Sequence, residues 1–192
     1  MNRFDKEALS WDDLPRRVEL AKAVVREVKD KLKKDDKVLD FGCGTGLVGL
    51  NLAPFVKEVV GIDTSLKMVE RFNEKAKLLN LNAKAFKKDI FEVDEVFDVA
   101  VSSMTIHHIK DLNALSMKLQ NIANKIFIAD LCKEDGTFHD HGNEGVEHFG
   151  FLKKELFEIF RDFDLEYRVI HTIKKGENRE YPVFLLELTK RR

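Results

Sequence analysis

Val38-Leu39-Asp40-Phe41-Gly42-Cys43-Gly44-Thr45-Gly46 decides the fold: a short apolar run ends in an acid, and three glycines then alternate with small residues. Alternating glycines let a backbone turn tightly and pass within contact distance of a ligand, because a side chain there would clash or forbid the φ values required. A helix-like segment follows at once, which is where first-strand ligand sites form in open α/β sheets. The stretch reads as a cofactor loop. A dinucleotide fingerprint needs G-x-G-x-x-G, but Leu47 stands where its last glycine belongs, and this disfavours a nicotinamide-dependent oxidoreductase. No Gly-Lys-Ser/Thr closes a phosphate loop either.

Two more acids keep step with the first. Val59-Val60-Gly61-Ile62-Asp63 is a second apolar run ending in an acid, 17 residues after Gly46, and Lys88-Asp89-Ile90 follows a third. The loop and these acids resemble the D-x-G-x-G-x-G pattern of class I S-adenosylmethionine-dependent methyltransferases. That resemblance implies S-adenosyl-L-methionine as cofactor and S-adenosyl-L-homocysteine as product. It implies that Asp40, Gly42, Cys43, Gly44 and Gly46 form the cofactor loop, and that Asp63, with Thr64 beside it, accepts the vicinal ribose hydroxyls. It also implies that Met68 lies against adenine, that Asp89 receives the exocyclic amine with Ile90 on the ring, and that Ser102 joins the same site. Taken singly, the glycines also suit an ordinary tight turn, Asp63 and Asp89 suit helix caps, and Met68 suits a core position.

A chain of 192 residues, 44% hydrophobic and 35% charged, can bury one sizeable core. The expectation is a single domain over 1–192, with a helical cover over 1–35 and a catalytic core over 36–192. A net charge of −1 offers no general attraction to polyanions, so no nucleic-acid partner is expected. The basic clusters Lys84-Ala85-Phe86-Lys87-Lys88 and Lys190-Arg191-Arg192 read as solvated surface and tail. Two cysteines, Cys43 and Cys132, are too few for a disulfide framework. The start, Met1-Asn2-Arg3-Phe4-Asp5-Lys6-Glu7, is charged without an apolar signal core, and no run approaches membrane-spanning length, so a cytoplasmic protein with no membrane partner is expected.

The elements alternate. Asp12-Asp13-Leu14-Pro15 opens a helix whose stripe is Val18, Ala21, Val25, Val28 and Leu32. Strands are expected near 37–41, 58–62, 83–87, 97–101 and 125–129, with helices from Gly46 toward Pro54, along Leu66 to Leu79, along Leu112 to Leu119, and along Leu152 to Phe160. Tyr167 to Ile173 and Val183 to Leu188, joined by the turn at 174–178, form a terminal hairpin. This is an α/β pattern with a mostly parallel sheet, an antiparallel edge and helices on both faces. It matches the Rossmann-like seven-stranded sheet of the resembled family.

The segment after the fourth strand bears on the acceptor. Amino-methylating enzymes of nucleic-acid bases in this superfamily carry Asp/Asn-Pro-Pro-aromatic there, whereas this chain reads Ser102-Ser103-Met104-Thr105-Ile106-His107-His108. The His-His form resembles the small-molecule and quinone-biosynthesis type, which implies a small-molecule acceptor. The sulfonium is already an activated leaving group, so alignment of the nucleophile matters most, and an imidazole suits removal of the acceptor's proton. Of six histidines, only His171 falls outside the connections that follow strands four and five. His107, His108 and His139 are therefore the candidate bases. The connection from Glu134 to Phe151 is far longer than usual and rich in histidine, acid and glycine, and reads as the acceptor pocket's cover or as a solvated loop. Trp11, His141 and His148 are assigned to the acceptor pocket, Trp11 packed on the sheet being the alternative. His139, His141 and His148 with Glu144 offer metal-ligand chemistry but no compact ligand spacing, so no metal is expected. The rival of another class is a non-catalytic methyltransferase-like partner.

Overall fold

A computed structural model describes residues 3–191 of the protein; Met1, Asn2 and Arg192, at the ends of the two charged terminal stretches, lie outside the described residues. The chain runs α1 (Arg3–Glu7), α2 (Pro15–Val28), β1 (Lys37–Phe41), α3 (Gly49–Leu52), β2 (Glu58–Asp63), α4 (Leu66–Leu78) and β3 (Ala83–Lys87). It continues through β4 (Phe97–Ser103), α5 (Leu112–Ile122), β5 (Ala123–Leu131), α6 (Lys153–Ile159), β6 (Phe163–Lys175) and β7 (Arg179–Lys190). The strands form one seven-stranded sheet in the order β3-β2-β1-β4-β5-β7-β6. β1 to β5 pair in parallel, and β7 pairs antiparallel with both β5 and β6.

Period-2 alternation with both faces apolar makes a sheet that is covered on both sides. Val38, Val101, Phe127, Ala129 and Leu185 share a core with Leu20, Val24 and Phe72 of α2 and α4. Leu39, Phe41, Ala100, Ile126 and Leu186 share another with Leu115, Leu119 and Leu156 of α5 and α6. Local chemistry fixes the helix starts. Pro15 opens α2 where a missing N–H costs little. Ser65 Oγ accepts from Met68 N at 3.2 Å to cap α4, and Asp111 caps α5 by accepting from Ala114 N at 2.9 Å. Among the described residues no helix is long and apolar enough to cross a membrane.

Two elements differ from expectation. The helix expected from Gly46 to Pro54 shrinks to the four residues of α3 and a 3-10 turn, because Gly46 sits at φ +88°, outside the right-handed helical region, and Pro54 limits the far end. A short α1 forms ahead of the expected first helix, too brief to leave a readable apolar stripe. The connection from Lys133 to Leu152 carries no helix or strand beyond a bridge between Cys132 and Phe151, yet its base is tied by Glu134 N to Phe149 O at 3.0 Å.

The order of strands places the reversal point between β1 and β4. From β1 the chain steps outward to β2 and β3, then returns to β4 and steps the other way, leaving a crevice at the carboxyl ends of β1 and β4.

Candidate active site

The glycine loop fills the rim of that crevice. Gly42, Gly44 and Gly46 all have positive φ, at +69°, +51° and +88°. A Cβ on Gly42 would lie 2.1 Å from Thr105 Oγ1, so the loop after β1 touches the loop after β4 only because this side chain is absent. Asp63, at the end of β2, holds the loop: its Oδ2 accepts from Gly44 N at 2.9 Å and its Oδ1 accepts from Ser65 N at 2.8 Å. A carboxylate has about four acceptor positions, so both oxygens retain capacity toward a ligand. Burial raises the Asp63 carboxyl above its ordinary value, and the N–H bonds from Ser65 and Gly44 oppose that rise. Asp40 is fully buried, accepts from Gly49 N at 3.0 Å, and is pushed up to about 7, first by burial and then by the charge of Asp63.

These groups line one cavity of about 350 Å³, a volume within the range of small-molecule sites. Asp40, Gly42, Cys43, Gly44, Asp63 and Thr64 lie on its wall, as do Met68, Asp89 and Ile90. Asp89 also caps the turn Ile90–Glu92 by accepting from Phe91 N at 2.9 Å, so capping and cavity lining coincide in one residue. Three of the assigned residues do not line the cavity. Ser102 is buried in the sheet, its Oγ donating to Phe41 O at 2.8 Å, while its neighbour Ser103 lines the cavity, since successive strand residues face opposite ways. Gly46 shapes the loop from behind: a Cβ there would meet Leu50 at 2.6 Å and Phe72 at 2.8 Å. His148 lies outside this cavity, its Nε2 bonded to Ile109 O at 2.9 Å.

The amino-terminal segment covers the cavity. Trp11 Nε1 stands 4.0 Å from where a Gly44 Cβ would be, its ring lies 5.9 Å from that of Phe4, and the Arg17 guanidinium sits 3.4 Å over it. Polar ties fasten this cover to the core. Asp12 accepts from Thr45 Oγ1 at 2.5 Å and pairs with Lys75 at 2.7 Å, and Asp5 accepts from Ser65 Oγ at 2.7 Å. Arg16 reaches Asp140 at 2.9 Å, and Lys175 meets the same carboxylate at 3.0 Å while donating to Phe138 O. The segment after β5 is thereby drawn to the cavity, with His139 and His141 on the wall.

Three imidazoles gather at this end. The rings of His107 and His108 are 4.0 Å apart, and that of His139 is 5.2 Å from the first and 5.8 Å from the second. Behind His107, fully buried Asp130 meets its Nδ1 at 2.7 Å and accepts from Leu131 N at 2.7 Å. Burial alone would raise Asp130, but the His107 charge and hydrogen bond, with two backbone N–H bonds, hold it below its usual range. Burial, then neighbouring His107, pushes both His108 and His139 down to about 4. His107 Nε2 and His139 Nδ1 are buried without a hydrogen-bond partner. Sequence reading missed Asp130, although it stands next to the end of β5 much as Asp63 stands at the end of β2, and Thr105 gave no signal of its own.

Comparison with known proteins agrees with this geometry. A family model described as a methyltransferase domain matches residues 32–184. An uncharacterised methyltransferase of Schizosaccharomyces pombe is 35% identical over 154 residues, covering 69% of this chain and 54% of the relative, so the chain spans about half that protein's length. A carboxy-S-adenosyl-L-methionine synthase of a Nitratiruptor species is 31% identical over 171 residues, covering 83% of this chain and 68% of the relative. In fold, the chain is similar to one in the complex between the Haloferax volcanii Trm112 methyltransferase activator and a methyltransferase, with TM-score 0.80, 14% identity, and 100% and 99% of the two chains covered. A glycine loop against β4, an acid at the end of β2, and a family match spanning most of the sheet lead to one assignment: the chain belongs to the methyltransferase domain family, within the class I S-adenosylmethionine-dependent methyltransferases.

Proposed function

We propose that the protein transfers a methyl group from S-adenosyl-L-methionine to a small-molecule acceptor. One observation carries the reading: the acid-ended strands, the glycine loop and the histidine cluster share a single cavity of about 350 Å³ beneath Trp11 and Phe4. Asp63 accepts the ribose hydroxyls, Asp89 and Ile90 hold the adenine, and Met68 supports it. The reactive methyl then lies toward His107, His108 and His139, and the acceptor enters from their side.

The partial cover favours a small acceptor, because the Arg16 to Asp140 tie and the Phe4 to His108 contact, 5.5 Å between rings, narrow the mouth that a nucleic-acid or protein chain needs. Alignment of the acceptor's nucleophile with the methyl and sulfur supplies most of the rate, and the histidine wall deals with the proton that a hydroxyl, thiol or ammonium acceptor sheds. The test incubates the purified protein and labelled S-adenosylmethionine with separate small-molecule, RNA and protein fractions of a cell extract. Label in the small-molecule fraction is the expected result. Label confined to RNA or protein overturns the proposal. His107→Ala, His108→Ala and His139→Ala at saturating cofactor are expected to lower turnover while leaving S-adenosylhomocysteine binding unchanged.

A further inference from the structure

We propose that His107, His108 and His139 bind one divalent first-row transition ion such as Zn²⁺ beside the cofactor pocket, leaving a coordination position for an oxygen or sulfur of the acceptor. This deepens the acceptor reading above, on which it rests for where the acceptor lies, and changes one role: with their lone pairs on the ion, the histidines would ease loss of the acceptor's proton through the ion and not by taking it themselves. Each of the three residues offers a ring nitrogen, and these nitrogens lie within 4.8 Å of one another. They come from two separate connections, after β4 and after β5, which the fold brings together.

The hydrogen bonds behind the rings fix where the lone pairs point. Asp130 Oδ1 accepts from His107 Nδ1–H, so an ion would displace any proton on His107 Nε2, which is buried and has no hydrogen-bond partner. His108 Nδ1 faces Gly145 O at 2.7 Å, and a carbonyl only accepts, so the proton is on Nδ1 and the Nε2 lone pair is free. His139 Nδ1 is buried and unpartnered as well. An ordinary buried histidine satisfies its ring nitrogens, because an orphaned buried polar group costs about 1–3 kcal/mol. Two such orphans side by side in one cluster are accounted for by a shared cation.

A carboxylate holding the far nitrogen of a ligating histidine is the usual outer support of a metal site, and Asp130 stands in that position. Three imidazoles with an open fourth place also suit Zn²⁺. Metal–nitrogen distances of about 2.0–2.1 Å bring tetrahedral donors to about 3.4 Å from one another, so the rings must close by at most about 1.4 Å from their present separations. His139 sits on the long connection after β5, which can supply that closure. His148, bonded to Ile109 O, is not part of the cluster, and the ligand set differs from the His139, His141 and His148 grouping that sequence suggests.

The experiment titrates chelator-stripped full-length protein with Zn²⁺ alone by calorimetry, and with Co²⁺ alone for its visible d–d bands. The expected result is one ion per chain, with the spectrum of a low-coordinate site. His139→Ala should weaken binding at least a hundredfold, and Asp130→Asn about ten- to a hundredfold. His171→Ala, on β6 and outside the cluster, should bind as the wild type does. Because Asp130 and His107 are buried, the half-exposed His139 variant carries the test should those variants fail to fold. No saturable binding, or equal affinity in the wild type and His139→Ala, overturns the proposal. Neither readout uses cofactor or acceptor, so failure of the methyl-transfer reading would show separately in the labelled-acceptor assay.

Discussion

Asp63→Asn isolates the contact on which cofactor recognition turns. In the wild type each carboxylate oxygen already receives one backbone N–H, from Gly44 at 2.9 Å and Ser65 at 2.8 Å, and each keeps a lone pair for one ribose hydroxyl. Hydrogen bonds to a charged partner contribute about 1.5–3 kcal/mol each, and neutral ones about half as much. Asparagine keeps the shape but removes the charge from both ribose bonds, a loss of about 1.5–3 kcal/mol, or roughly tenfold to 150-fold in dissociation constant. Its amide also points an N–H at a backbone N–H, so the loop loses one tie as well. Calorimetric titration with S-adenosylhomocysteine reads the first effect, and a thermal melt of the unliganded variant reads the second. A ligand lacking the ribose 2′-hydroxyl should bind the wild type more weakly and bind the variant with little further loss. Should the folded variant bind S-adenosylhomocysteine within threefold of the wild type, the assignment of Asp63 to the ribose is wrong.

Three further perturbations address the loop, the buried acid and the cover. Gly42→Ala sets a methyl 2.1 Å from Thr105 Oγ1 at φ +69°, and should cost at least about 2 kcal/mol in denaturant melts, whereas Gly145→Ala, at φ +75° with nothing within 4 Å, should lose only the left-handed penalty of about 1–2 kcal/mol; equal losses would contradict the packing argument. Asp40 has a folded value of about 7, above its unfolded value of 3.8, so between these values the unfolded chain binds fewer protons and the group's stabilisation is lost as pH rises through about 7. Asp40→Asn should therefore gain stability over the wild type as pH goes from 5 to 8, by on the order of 3 kcal/mol at most, and a pH-independent difference would contradict it. Trp11 is the chain's one tryptophan, so its emission should change on S-adenosylhomocysteine binding and Trp11→Phe should abolish that signal; unchanged emission at a calorimetrically saturated site would remove Trp11 from the cover.

The parts of the fold legible in sequence were those with local causes. β1 and β3 fall where alternation and turn residues put them, and α4 and α5 begin at the Ser and Asp that cap them. α3 was overestimated because an apolar run following glycine resembles a helix until the positive φ of Gly46 is known. The neighbouring serines at 102 and 103 show what sequence cannot supply: which of two adjacent strand residues faces the ligand depends on how β4 is set against β1. Likewise, His107 and His108 stood out as a pair, but their meeting with His139 and the support from Asp130 depend on β4 and β5 lying side by side.

A crystal structure of the protein with S-adenosylhomocysteine tests the central claim most directly. The account predicts the ribose hydroxyls within hydrogen-bonding distance of Asp63, adenine between Met68 and Ile90 with its amine at Asp89, and the sulfur directed toward His107, His108 and His139 under Trp11. Ligand density elsewhere, or an adenosyl group in the cavity with Asp63 bonded only to Gly44 and Ser65, would contradict it.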